Sequence, residues 1–166
     1  MDTNTRDELR RLLSGLRADE EPKGIGIAGY RVTCRRDSYD VLECVKETLE
    51  FILTFHLGMV TAANLERDLT DPDDIILLLE EQVISQLKEW YRQKFSLSAN
   101  DTNADCVRGF GWARDWRWWD WRIRTERDFL LLLDVSGWPC SGLTALRSVL
   151  YQCGAESMDE IPEAEW

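Results

Sequence analysis

Apolar residues recur every three or four positions in four stretches of this 166-residue chain, which is the spacing of helices with one buried face. These stretches cover about residues 5–17, 37–58, 71–95 and 139–153. Asp71 followed by Pro72 is typical of a helix start, because the acid can cap the first turn and proline fits it. Gly58 is well placed to end the second helix, and residues 59–70 are ambiguous, with a short further helix as one reading. The pattern predicts four or five helices.

Other stretches have the patterns of strands. Apolar and polar residues alternate along 30–35 and along 119–124, which is typical of a strand with one buried face. Residues 129–135 are almost continuously apolar, which is typical of a central strand. Gly29 fits a bulge at the start of the first strand, and residues 107–112 are expected to form a short strand after a polar loop.

The order of these elements predicts an α+β fold. The strands are few and clustered, so we expect a small, mostly antiparallel sheet of about three to five strands, with about four to five helices packed mainly on one face. The length suits one domain, which we place at residues 1–155. Residues 156–166 contain five acids and no base, which predicts a mobile acidic C-terminal tail.

Charge separates the chain into two parts. The formal net charge is −11, which argues against non-specific nucleic-acid binding and fits either a basic partner or plain solubility. Residues 40–89 contain twelve acids and three bases, whereas residues 106–127 contain six arginines and three acids. The acidic part is interpreted either as solvated helix faces or as a surface complementary to a basic protein.

Tryptophan is concentrated in the same region: six of the eight tryptophans lie between residues 110 and 153, and five of these lie in the basic part. The alternation along 119–124 favours Trp119 and Trp121 as core residues. A strand cannot bury both faces, so some of Trp112, Trp116 and Trp118 are expected at the surface, where tryptophan and arginine are typical protein contacts. The same surface could instead stack single-stranded bases or a planar ligand.

Reactive groups are scarce. The chain has five cysteines, an odd number with no C-x-x-C pair, and its N-terminus has no targeting pattern, so we expect reduced thiols in a cytoplasmic protein. Cys140 is the best candidate for a reactive thiol, because the predicted helix N-terminus there would lower its pKa. The single histidine, His56, ends an apolar helical stripe and is more typical of a core position than of a catalytic base.

Two motifs match ligand sites only in part. Residues 24–29 read Gly-x-Gly-x-x-Gly but lead into a predicted strand, whereas a dinucleotide site needs this motif at a strand-to-helix turn. Residues 101–112 begin with calcium-loop spacing but have Cys106 where glycine is needed and Trp112 where glutamate is needed. The sequence therefore predicts no cofactor, no metal ion and no catalytic residues.

These observations favour a non-enzymatic, acidic protein-interaction module that binds a basic partner protein. An inhibitor, an immunity-type protein and a small subunit of a larger assembly all have this character. Two alternatives stay open: a binder of a small ligand or single-stranded nucleic acid that uses the 112–124 surface, and a thiol enzyme centred on Cys140. No stretch is apolar for long enough to span a bilayer, so no membrane contact is expected. The predicted partner-binding residues are Trp112, Arg114, Trp116, Arg117, Trp118, Asp71, Asp73, Asp74, Glu80 and Glu81.

Overall fold

A computed structural model of the protein describes the backbone of residues 3–20, 26–66, 72–110, 116–135 and 143–166, and the side chains of residues 6–20, 26–55, 82–110, 116–135 and 143–166. Within these ranges the α-helices are α1 (Thr3–Ser14), α2 (Ser38–Glu66), α3 (Pro72–Phe95) and α4 (Leu143–Cys153). The strands are β1 (Ile27–Cys34), β2 (Trp116–Thr125), β3 (Asp128–Val135) and β4 (Ala155–Ile161). Short 3-10 helices cover Thr102–Phe110 and Glu163–Glu165.

The strands form one sheet in the order β2-β3-β1-β4, and each pair of neighbours is antiparallel. This architecture confirms the predicted α+β fold and the predicted size of the sheet. The apolar run of β3 occupies a central position between β2 and β1, as its sequence predicts.

The core lies between the helices and one face of the sheet. On that face, Val32 pairs with Phe129 and Tyr30 pairs with Leu131, and all four side chains are buried. The inward residues of the helices complete the same cluster, since their apolar positions recur at helical spacing. They include Val45, Leu49 and Ile52 of α2, Leu87 and Tyr91 of α3, and Leu146 and Leu150 of α4.

The C-terminal segment belongs to the sheet, so the predicted tail at 156–166 is wrong. Strand β4 pairs with β1 and buries Ala155 and Met158 on the core side. Two inward side chains are enough to anchor this strand, while the segment's five acids, three in the strand and two after it, are exposed. A charged edge strand also discourages pairing with a second sheet.

The last residues fold back over the reverse face of the sheet. The indole of Trp166 rests on Gly29, where an added Cβ would lie 2.0 Å from Trp166 Nε1. Trp166 Nε1 donates a hydrogen bond to the carbonyl oxygen of Ile161 at 3.3 Å. Arg31 forms an ion pair of 2.8 Å with Glu165, and Arg124 donates to the Glu165 carbonyl oxygen. The Trp166 indole therefore leaves no room for a side chain at residue 29.

Gly29 is also not a bulge, because the pairing of β1 with β3 is continuous through it. The register shift of β1 lies instead between Thr33 and Cys34, against β4, where Glu156 is the extra residue. Nothing in the local pattern of 24–35 could predict this shift, since the extra residue belongs to a distant strand.

Helix α2 continues through Gly58 to Glu66, so the predicted stop is wrong. One interior glycine costs a helix about 1 kcal/mol, which the helix-forming residues after it offset. Residues 102–110 form a 3-10 helix instead of a loop followed by a strand. Its buried residues, Ala104, Val107 and Phe110, are three apart, which matches the three residues per turn of a 3-10 helix.

Candidate functional site

Two of the partner-binding residues predicted in the basic, tryptophan-rich part of the chain lie in the core. Trp116 and Trp118 are 1% and 0% exposed, so for these two of the three tryptophans the predicted partner-binding role is wrong. The cause is a bulge in β2: Trp118 pairs with Leu133 and Asp120 pairs with Leu132, which leaves Trp119 as the extra residue. The alternation changes phase at the bulge, and Trp116, Trp118 and Trp121 all pack with the core.

Basic side chains cover the tryptophans at the margin of the core. The guanidinium carbon of Arg11 lies 4.0 Å from the ring centroid of Trp119, and Lys46 Nζ lies 4.6 Å from that of Trp121. Both rings are half-buried. Helix α1 further closes this edge of the sheet, because buried Glu8 accepts a hydrogen bond of 2.7 Å from the Trp118 backbone N–H. Little aromatic surface of β2 is left for a ligand.

The remaining predicted residues divide into two groups. Arg117 lies in β2 and is half-buried. Trp112, Arg114 and Asp71 lie outside the described residues, as does the candidate thiol Cys140. The acids Asp73, Asp74, Glu80 and Glu81 lie in α3, and their side chains, like that of His56 in α2, are outside the described set.

A second group of acids forms a continuous surface on α2. Asp40, Glu43, Glu47 and Glu50 are three, four and three residues apart, so they follow one side of the helix; we call them the acidic face. Asp40, Glu47 and Glu50 are exposed and Glu43 is half-buried. The opposite side of α2 packs into the core, which fixes the direction in which these carboxylates point.

The acidic face is only partly neutralised. Lys46 pairs with Glu43 at 2.8 Å, and Lys94 of α3 pairs with Glu47 at 3.4 Å. Asp40 and Glu50 form no ion pair with any residue that the structure describes. Unpaired exposed carboxylates keep a negative potential at this surface, which attracts cations at low ionic strength.

Two thiols meet beside the acidic face. Cys44 Sγ of α2 lies 2.8 Å from Cys153 Sγ, at the last residue of α4. Cys44 is half-buried, whereas Cys153 is 1% exposed. Thr48 Oγ1 lies 3.8 Å from Cys153 Sγ, and the Arg36 guanidinium donates to the Cys153 carbonyl oxygen at 2.9 and 3.2 Å. We call Cys44 and Cys153 the thiol pair.

The surroundings make the two thiols different. The hydrogen bond from Cys153 lowers the pKa of Cys44 to about 6 against the effect of burial, with help from the nearby charges of Lys94 and Arg36. The hydrogen bond to Cys44 and deep burial raise the pKa of Cys153 well above its ordinary range. Of the two thiols, Cys44 is therefore the one whose thiolate is favoured, because a hydrogen bond from the Cys153 thiol stabilises it.

The other described cysteines are less acidic. Burial raises the pKa of Cys34 and of Cys106 to about 11 in each case. The thiol pair could not be found from the sequence, because its members are 109 residues apart and each occupies an ordinary position on its helix. Cys153 is recognisable only as a residue of the apolar face of α4.

In the described part of the chain, no cluster of three or more Cys, His, Asp or Glu side chains has an arrangement that could hold a metal ion. None of the helices within the described ranges has both the length and the apolarity needed to cross a bilayer.

Comparison with known proteins gives no further assignment. No protein-family model, no curated protein and no solved structure matches this chain. What the protein does must therefore be inferred from its own residues.

Proposed function

We propose that this protein is a non-enzymatic binding module that recognises a basic protein through the acidic face of α2. An inhibitor, an immunity-type protein and a small subunit of a larger assembly are the functional classes that this property fits. The observation that carries the proposal is the line of four carboxylates on one rigid helix, within a chain of net charge −11.

The cation within the acidic face does not cancel its charge toward a partner. Lys46 is the one base between residues 40 and 50, and its side chain is 11% exposed because it lies against Trp121. Its ion-pair partner Glu43 is 39% exposed. An approaching protein therefore meets carboxylate oxygens, while the ammonium group is turned toward the body of the molecule.

Rigidity adds to the suitability of this surface. Val41, Val45 and Leu49 anchor α2 in the core, and each is essentially inaccessible to water. Because the backbone under the acidic face is already ordered, binding costs little further conformational entropy. Complementary charge on a fixed surface raises the rate of association and excludes acidic competitors.

The alternative of a nucleic-acid or ligand site at residues 112–124 has less support. Stacking needs exposed aromatic faces, and Trp116 and Trp118 are buried. Arg122 is also engaged, since its Nε lies 3.3 Å from a carboxylate oxygen of Asp120. The third hypothesis, a thiol enzyme centred on Cys140, concerns a residue outside the described ranges.

The proposal is tested by capture experiments in which the folded wild type and two folded variants serve as bait. The wild type is compared with a variant that neutralises the exposed acids of α2 (D40N/E47Q/E50Q) and with a matched variant that neutralises three exposed acids of β4 (E156Q/D159N/E160Q). Both variants lose the same charge, so they separate the position of the acids from net charge. Proteins bound at low salt are eluted with a salt gradient and identified by mass spectrometry.

We expect one basic protein to be recovered in near-equal amount by the wild type and by the β4 variant, and to be lost with the α2 variant. Elution should occur at moderate salt, because exposed charge pairs are screened. Equal loss with both variants would mean that only net charge matters. Retention by the α2 variant, or elution independent of salt, would contradict the proposal.

A further inference from the structure

The two sulfurs of the thiol pair lie unusually close together. Their separation of 2.8 Å is shorter than a van der Waals contact between two sulfur atoms, and a disulfide bond is about 2.05 Å long. The two sulfurs belong to different elements, α2 and α4, which pack against each other in the core. Only a small approach of the two helices separates the dithiol from a covalent link.

We propose that Cys44 and Cys153 are a redox-active pair, which a low-molecular-weight disulfide oxidises to an intramolecular Cys44–Cys153 bond. Cys44 is the attacking thiol, because it is half-buried and reachable from the surface. Cys153 is the resolving thiol, because it is buried and is already in contact with the Cys44 sulfur. This inference does not depend on the proposed function of the acidic face.

Charges around the pair favour this division of roles. The cations that face Cys44 are Lys94 of α3 and Arg36 of the segment before α2, and both stabilise a thiolate there. Glu47 opposes them, but its carboxylate is paired with Lys94. Arg36 is held in place by its hydrogen bonds to the Cys153 carbonyl oxygen.

The reaction proceeds in two exchange steps. The Cys44 thiolate attacks one sulfur of the reagent RSSR, the reagent S–S bond breaks, and one RS⁻ leaves and takes a proton from water. Cys153 then loses its proton to solvent and its sulfur attacks the Cys44 sulfur of the mixed disulfide. The second RS⁻ leaves and is protonated. The protein loses two electrons and two protons, and the reagent becomes two RSH.

The test uses full-length native protein and 2-hydroxyethyl disulfide, an uncharged reagent that the acidic face does not repel. After quenching and alkylation, cross-linked and mixed-disulfide peptides are measured by mass spectrometry. We expect the wild type to give the Cys44–Cys153 cross-link. Cys153→Ser should instead accumulate one mercaptoethanol adduct at Cys44, and Cys44→Ser should give neither product.

Control variants address the other thiols. Cys140→Ser and Cys34→Ser should react as the wild type does, because neither belongs to the pair. Folding of each variant is checked by far-ultraviolet circular dichroism. If Cys153→Ser does not fold, Cys153→Ala is used for the same trapping measurement, and the wild-type labelling rates below need no variant.

Wild-type labelling rates give an independent readout. At pH 7, iodoacetamide should alkylate Cys44 roughly 50-fold faster than Cys106. The larger thiolate fraction of Cys44 favours its reaction, and the lower nucleophilicity of a more acidic thiolate partly offsets this advantage. A wild type that stays fully reduced, a cross-link between other cysteines, or equal labelling of Cys44 and Cys106 would overturn the proposal.

Discussion

Replacing Gly29 by alanine should destabilise the protein, because the new methyl group would displace Trp166 from the reverse face of the sheet. The three atoms nearest to an ideal Cβ at residue 29 all belong to the Trp166 indole, at 2.0 to 2.6 Å. Tryptophan side chains bury about 150–250 Å² when covered, and Trp166 is half-buried, so its contact is worth about 2 to 3 kcal/mol at about 25 cal/mol per Å². We expect Gly29→Ala to lower the free energy of unfolding by about 2 kcal/mol.

The same substitution should change sign when Trp166 is absent. In a Trp166→Ala background the methyl group no longer meets the indole, and alanine in a strand is favoured over glycine by roughly 0.5 to 1 kcal/mol. The wild type, both single variants and the double variant therefore form a cycle with a coupling free energy of about 2 to 3 kcal/mol. Unfolding in urea is followed by far-ultraviolet circular dichroism, which does not depend on the altered tryptophan.

Additive effects in this cycle would show that the Trp166 indole and the new methyl group do not interact. If Gly29→Ala were equally destabilising with and without Trp166, the indole would not rest on Gly29, and the close approach could not be the reason for glycine at this position. Equal denaturant slopes across the four proteins are required for the comparison, because a changed slope would show that the unfolded or folded state had altered.

Three further predictions concern the core and its edges. Burial raises the pKa of Glu20, but hydrogen bonds from the Arg17 backbone and from Arg10 and Arg11 lower it to about 2. The stability that this carboxylate contributes should therefore be complete above pH 4.5 and lost as the pH falls toward 2. Glu20→Gln should lower the free energy of unfolding at pH 7 by about 1 to 2 kcal/mol after allowance for solvent screening, as measured by urea unfolding against pH. Trp118→Ala should cost about 3 to 5 kcal/mol in the same assay, whereas an equally large effect of Arg117→Ala on the same strand would contradict the assigned burial. Gly109→Ala should cost about 1 to 3 kcal/mol, because the added Cβ would lie 2.5 Å from that of Ala145, and an unchanged thermal midpoint would show that the two segments do not touch.

Elements with a strong local pattern could be predicted from the sequence. The apolar run of 129–135 forms the central strand β3, and helix α3 begins at Pro72 as its acid-proline start indicates. In both cases the structure depends mainly on residues that are neighbours in the sequence, so the local pattern is enough to predict it. The α+β class followed from the order of such elements.

Features that depend on a distant partner could not be predicted. Strand β4 exists because β1 offers it an edge, and its two inward residues are too few to give a strand pattern among three acids. The bulge at Trp119 is set by pairing with β3, and it moves Trp116 and Trp118 into the core. Both features are tertiary, so neither leaves a periodic trace in its own segment.

The candidate site was predicted only at its coarsest level. The sequence predicted partner-binding acids within 40–89, but it named Asp71, Asp73, Asp74, Glu80 and Glu81. The acidic face consists instead of four earlier acids, which helical spacing brings to one side of α2. The contact role predicted for Trp116 and Trp118 was wrong, because the bulge in β2 places both side chains in the core. The thiol pair depends on the crossing of α2 and α4, which no spacing along the chain expresses.

If the acidic face of α2 binds a basic protein as proposed, the affinity must depend on the charge of this face. The decisive measurement is the dissociation constant for the captured partner over a series of salt concentrations, for the wild type and the two matched triple variants. We expect D40N/E47Q/E50Q to weaken binding by about tenfold or more at low salt, equivalent to about 1.4 kcal/mol, and to flatten the salt dependence. E156Q/D159N/E160Q should leave both quantities nearly unchanged. Equal weakening by both variants, or an affinity that salt does not alter, would contradict the account.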